Sequence, residues 1–194
     1  MKKLIGVGLA AAISFGALSG CSVLTKVTGK PNGMIVYGTE EHVQKVADKH
    51  KKEAKETDVY KMKLATIDDK RVLVMNTKTA EELVKKELLK KVEQGDNTKA
   101  IDKLPAVTVE QGVLFAKEKV ESAAIDGTKL KYEGNTIVGD GRRYVDMYAI
   151  MDDTAYNNVK SEEKSLGVLK FSTDATKKLA DDKGIEYEQT VTIK

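Results

Sequence analysis

Residues 185–193 read Ile185-Glu186-Tyr187-Glu188-Gln189-Thr190-Val191-Thr192-Ile193. In an extended chain, successive side chains point to opposite faces. Ile185, Tyr187, Val191 and Ile193 therefore share one side, and Glu186, Glu188, Thr190 and Thr192 share the other. A strand divided in this way keeps one face in a core and one in water. That fits an antiparallel sheet better than a doubly wound parallel one, whose strands are apolar on both faces. The fold class expected from this stretch is α+β, a mainly antiparallel sheet covered by amphipathic helices.

Outward from that strand, the same period recurs. Val59 to Ile67 alternates, with Tyr60, Met62 and Leu64 on one face and Lys61 and Lys63 on the other. Asp68-Asp69-Lys70 supplies a turn, and Arg71 to Met75 returns as a more apolar strand, so the pair reads as a hairpin. Met34–Tyr37 is a short buried strand ending at Gly38. Thr128–Glu133, Thr136–Val138 and Arg142–Met151 are separated by Gly134-Asn135 and Gly139-Asp140-Gly141, and read as a meander. Leu166–Phe171 is a further strand.

Helical periods fill the intervals. Thr39 caps a helix running to about Glu56, with Glu40 and Glu41 at its positive end and Val43, Val46, Ala47 and Ala54 as its stripe. Thr79 and Glu82 form a capping box for a second helix, striped by Ala80, Leu83, Val84, Leu88 and Val92 and stopped by Gly95. Thr108 and Gln111 open a third in the same way, with Val109, Val113, Ala116, Val120 and Ala123 facing inward. A helical turn at Asp153–Lys160 and a short helix over Thr173–Lys183 complete the set. Each stripe needs a face to cover, and a sheet is the simplest common partner. One globular domain over residues 34–194 is expected, with two subdomains, 34–95 and 108–194, as the alternative.

The chain has 194 residues, with 33 Lys and Arg against 30 Asp and Glu. This balance argues against nucleic acid as a partner, because such binders concentrate basic residues on one face. Tryptophan is absent and phenylalanine occurs three times, so the core must come mainly from Val, Leu, Ile, Ala, Met and Tyr. A single cysteine, Cys21, rules out an internal disulfide.

The start of the chain carries the sharpest motif. Met1-Lys2-Lys3 is a basic opening, Leu4 to Leu18 is an apolar run of signal-peptide length, and Leu18-Ser19-Gly20-Cys21 closes it. These residues resemble the lipobox of bacterial lipoprotein precursors. The resemblance covers residues 1–21 and implies removal of 1–20 as a signal peptide. It further implies diacylglycerol on the Cys21 thiol and acylation, palmitate among the chains, of the freed amine. Several acyl chains make a stable anchor where one binds only marginally. Ser22 after the cysteine implies the outer membrane in a Gram-negative cell, with the domain facing the periplasm. In a Gram-positive cell the same signal implies the outer face of the plasma membrane. Residues 21–33 then form the lipidated N-terminus and a linker, and the linker residues after Cys21 reach at most about 40 Å.

The candidate chemistry of the domain is sparse. Gly139-Asp140-Gly141-Arg142-Arg143 could cradle an anion with backbone N–H groups and two guanidinium forks, but a hairpin loop explains the glycines equally. Arg142 and Arg143 are the candidate ligand-binding residues. His50 falls within its helix's apolar stripe and His42 beside it, and no further ligand cluster points to a metal. Asp146, Asp152 and Asp153 read as strand and capping residues. No cofactor motif is recognisable. The expected role is a lipid-anchored envelope lipoprotein that binds a protein or glycan partner or serves a structural function. A hydrolase-type envelope enzyme, its site assembled from dispersed Asp, Tyr and Arg, is the alternative.

Overall fold

The computed structural model describes residues 30–94, 97–179 and 183–194. The leader, Cys21, most of the linker and Gly95 lie outside the described residues. The described chain is mostly strand, with three α-helices.

The first half runs β1 (Gly33–Gly38), α1 (Glu40–His50), β2 (Ala54–Ile67), β3 (Lys70–Asn76), α2 (Thr77–Lys85), β4 (Leu89–Val92) and β5 (Thr98–Ala100). The second runs β6 (Gln111–Ala116), β7 (Ala123–Ile125), β8 (Thr128–Tyr132), β9 (Thr136–Val138), β10 (Met147–Met151), α3 (Asp153–Asn158), β11 (Glu162–Phe171) and β12 (Ile185–Val191). Nine strands form one sheet in the order β12-β1-β11-β2-β3-β10-β6-β8-β7, and β5-β4-β9 form a second, smaller one. Strands from residues 34–95 and 108–194 interleave in the large sheet. That sheet is mixed: β3 with β10 and β6 with β8 pair in parallel, and its other named pairs are antiparallel.

The β2–β3 hairpin forms as its sequence predicts. Asp68 and Asp69 both have positive φ (47° and 61°) between the paired Ile67 and Lys70, the two-residue geometry that matches strand twist. Strand β12 keeps its division only from Tyr187 onward: Tyr187, Val191 and Ile193 pack into one core cluster, whereas a bulge opposite Tyr37 and Gly38 turns Ile185 to the cluster on the other face. Val191 is buried while Glu186 is exposed, and the strand lies at the sheet edge against β1.

Both faces of the sheet interior are covered. On one face, Ile35, Leu73, Met75, Phe115, Tyr148 and Leu166 pack beneath α2 and the small sheet. On the other, two separate clusters form. Val43 and Val46 of α1 cover Met34, Val36 and Leu169, while Ala155 and Tyr156 of α3 cover Val74, Leu114 and Ala149. β7 touches β2 although four strands lie between them in the sheet, so this end curls over its own core. Gly167 lets α1 approach the sheet. A Cβ there would sit 2.6 Å from Val36 Cγ2 and 2.8 Å from Val43 Cγ1, inside van der Waals contact.

Several elements depart from the sequence reading, each for an identifiable reason. The third helix is instead strand β6. Its run Gly112-Val113-Leu114-Phe115-Ala116 is buried on both faces, and a continuous apolar run cannot distinguish helix from buried strand. The Thr108–Gln111 pair is nonetheless real: Gln111 N donates to Thr108 Oγ1 at 3.1 Å, closing a turn that opens a strand. Helix α1 ends at His50, and Ala54 already belongs to β2. Helix α2 starts one turn earlier, capped by the Asn76 side chain, and ends at Lys85. Leu88 and Val92 reach the same core from the following loop and β4. Over the described part of Thr173–Lys183 there is only a 3-10 turn, Thr176–Lys178. Thr136–Val138 pairs with β4 in the small sheet, so the expected meander is divided between two sheets.

Candidate functional site

Arg142 is spent on the chain itself. Its Nε and Nη2 donate to Asn135 Oδ1 (3.2 and 2.9 Å), Nη2 also to Thr136 O (2.7 Å), and Nη1 to Phe115 O (3.3 Å) and Asp146 O (3.0 Å). Five donors meet four acceptors from three segments, and the guanidinium carbon lies 5.4 Å from the Tyr148 ring centre. Burial lowers the Arg142 pKa. Arg143, in contrast, is exposed. The preceding loop is shaped by Gly139 (φ +70°), packed so closely on Gln189 that a Cβ would lie 2.8 Å from its side chain. Gln189 Oε1 in turn accepts from Asp140 N, and Asp140 pairs with Lys90.

Beside this loop lies a row of tyrosines. Tyr37 is fully buried and stacks on Tyr144, ring centres 4.5 Å apart, and Tyr187 stacks on Tyr144 at 6.4 Å. The Arg71 guanidinium covers Tyr144 at 4.8 Å. Tyr144 donates to Glu186 (2.9 Å), which also accepts from Lys164 (2.6 Å), and Lys164 reaches Glu162 as well. Burial pushes the Tyr37 hydroxyl well above the ordinary tyrosine range, Tyr148 reinforcing it, and pushes Tyr148 up to about 12. Burial would raise the Glu186 pKa, but hydrogen bonds from Lys164 and Tyr144 outweigh it and hold the carboxyl low. The raised phenols stay protonated and the Glu186 carboxyl ionised at neutral pH, which makes the row a hydrogen-bonded network.

The remaining candidates occupy structural posts. Asp152 caps α3 through Thr154 N (2.8 Å), Asp153 pairs with Lys78, and Asp146 Oδ2 accepts from Arg71 N (2.9 Å). His50 packs edge-on against Phe171, and His42 bonds its own cap, Thr39 Oγ1, at 2.7 Å. Among the described residues, no group of three His, Cys, Asp or Glu side chains could hold a metal ion. The structure does not bring Arg143 and either histidine to a common site.

Two concavities arise that the sequence did not announce. A groove of about 510 Å3 runs between α2 and the segment 102–107. Thr77, Glu81, Val84 and Lys85 come from one helix face, at spacings of four, seven and eight residues. Val84, Leu104 and Val107 form an apolar floor continuous with the core, and Glu81, Lys85, Asp102 and Lys103 form a rim of both signs. The sequence shows Asp96–Leu104 only as a polar connector. Its apolar members cannot be assigned a partner until the chain folds back on α2.

A smaller cleft, about 230 Å3, opens on the opposite face between α1 and α3, where the two core clusters leave β2 and β11 uncovered. Lys63 and Ser165 line it, 9% and 1% exposed, and Ser165 Oγ lacks a hydrogen-bond partner. Lys63 Nζ donates to Asn157 O (3.3 Å) and Val159 O (2.7 Å), the carbonyl end of α3, and lies 5.1 Å from the Tyr156 ring centre. Alternation placed Lys63 on the wet side of β2. The apolar neighbour β3 was the signal that both faces would be covered.

Residues 31–194 match a family described as an uncharacterised lipoprotein family. A crystal structure of a candidate lipoprotein from Bacillus anthracis superposes with a TM-score of 0.80 at 37% identity, spanning 84% of this chain and 99% of that one. Among curated proteins there is no match. No helix among the described residues is long and apolar enough to cross a membrane.

Proposed function

From the premise that the chain belongs to this uncharacterised lipoprotein family, we propose that it is a binding lipoprotein of the cell envelope. In this reading, residues 1–20 are removed, Cys21 carries the lipid, and residues 34–194 act as one unit held at the bilayer by a short linker. The observation that carries the binding role is the α2 groove, whose half-buried apolar floor and mixed-charge rim suit a short apolar segment of an envelope protein. Glu53, Glu56, Glu82, Asp174 and Glu186 are held below the ordinary carboxylate range by lysines or hydrogen bonds, as ion-paired groups are.

Two experiments test this reading. Cys21→Ala should abolish incorporation of labelled palmitate and leave uncleaved precursor; continued labelling overturns the anchor. Crosslinking in intact cells should capture an envelope protein on the wild type and lose it on Val84→Asp, which sets a carboxylate on the groove floor. Equal capture by both removes the groove from consideration.

A further inference from the structure

The stretch that joins the linker to the domain is fixed to one end of the sheet. Pro31 O accepts from Ala175 N (2.7 Å), Asn32 O from Phe171 N (2.7 Å), and the Asn32 side chain exchanges two hydrogen bonds with Ile193 (2.8 and 2.9 Å). The same end gathers the starts of β1 and β2, the ends of β11 and β12, and the C-terminus of α1. Only eight residues lie between Cys21 and Lys30, a span of at most about 32 Å. An anchor at Cys21 therefore keeps this end of the domain within about 32 Å of the bilayer.

The chemistry of that end matches its position. Lys30, Lys86, Lys170, Lys178 and Lys194 are each tied to a carboxylate. Lys51, Lys52, Lys55 and Lys177 are exposed, and no ion pair engages them among the described residues. Lys177 and Lys178 lead directly to Leu179, one of two large hydrophobic residues that stand exposed in the described chain, at 40%. A cluster of free ammonium groups around a protruding apolar side chain is the composition of an interfacial anchor.

We propose that this end of the domain is a docking surface for an anionic lipid bilayer, with Lys51, Lys52, Lys55 and Lys177 at headgroup level and Leu179 entering the interface. Docking fixes the domain's orientation and turns the α2 groove, on the sheet face opposite α1, to a constant height above the membrane. The proposal takes its biological setting from lipidation at Cys21, but the surface acts without it. Each lysine within a Debye length of an anionic surface multiplies binding by about fivefold, so four contribute roughly a hundredfold or more at low salt.

Every residue of the three core clusters lies between Met34 and Ile193, so a chain beginning at residue 22, free of lipid, retains the whole core. It should co-sediment with vesicles of phosphatidylcholine containing 30% phosphatidylglycerol, and not with pure phosphatidylcholine. Raising salt from 50 to 500 mM should release it. The K51Q/K52Q/K55Q/K177Q variant, with an unchanged melting temperature, should lose about a hundredfold in partitioning. A control replacing exposed Lys70, Lys99, Lys117 and Lys129 should retain binding. Indifference to phosphatidylglycerol, or equal loss in the control, overturns the proposal. Since this protein carries no acyl chain, the result is independent of palmitate labelling at Cys21, which tests the anchor alone.

Discussion

Replacing Arg142 distinguishes a structural clamp from a ligand-binding residue. Its guanidinium joins the β6 carbonyl of Phe115, the Asn135 side chain, the Thr136 carbonyl that opens β9, and the Asp146 carbonyl before β10. Methionine in its place preserves length and apolar contact with Tyr148 but leaves these acceptors without a donor. A partly buried acceptor stripped of its charged donor costs roughly 1–3 kcal/mol, and removing one partner from a buried charged network costs about 3–5 kcal/mol in total. The lower figures of each range apply here, because the Asp146 carbonyl bond is solvent-exposed and water can replace it. Arg142→Met is therefore expected to lose about 3 kcal/mol, against a typical total of roughly 5–15 kcal/mol. For a chain of this size that is a fall of roughly 6–12 °C in melting temperature. Arg142→Lys keeps the charge but reaches fewer acceptors with three donors, and should recover about half. Urea unfolding followed by far-UV circular dichroism measures both, with the slope m unchanged. If Arg142→Met stays within about 0.5 kcal/mol of the wild type, the clamp is refuted and the guanidinium is available to an external anion.

Further outcomes follow from particular contacts. Gly167→Ala puts a methyl against Val36 and Val43 beneath α1 and should cost about 1–3 kcal/mol by overpacking. A combined Gly167→Ala and Val43→Ala protein should recover part of that in the same urea assay, whereas no recovery would place the strain elsewhere. Glu186 has a folded pKa below its ordinary value of 4.5, so its stabilising contribution is complete above that value and is lost as pH falls through the folded pKa. The urea midpoint should accordingly be flat from pH 7 to about 5 and drop below about 4.5. Glu186→Gln should lower the midpoint at pH 7, by removing one of the two carboxylates that hold Lys164, and soften the acid slope. An unaltered acid slope would mean that other carboxylates carry the transition.

What the sequence determined by itself is local or periodic. Alternation over Tyr187–Ile193 and Val59–Ile67 gives strands, because only an extended geometry puts Tyr187, Val191 and Ile193, or Tyr60, Met62 and Leu64, on one face. Asp68-Asp69 gives the hairpin, and Thr39 with Glu40 and Glu41 gives the start of α1, because turns and caps are satisfied within a few residues. Leu18-Ser19-Gly20-Cys21 carries the envelope assignment in four adjacent residues, and the family match agrees with it. Tertiary structure decided what depends on partners far along the chain. Val113–Ala116 is apolar throughout, and only flanking by β10 and β8 makes it a two-sided strand instead of a helix. Helix α2 stops at Lys85 because Leu88 finds its core position from the loop, a contact that the i, i+4 spacing mimicked. Arg142 looked free in a glycine loop until Phe115 and Asn135 arrived from elsewhere to take its donors. The α2 groove and the basic end likewise exist only as surfaces. Their residues are scattered in sequence, and a surface has no period to read.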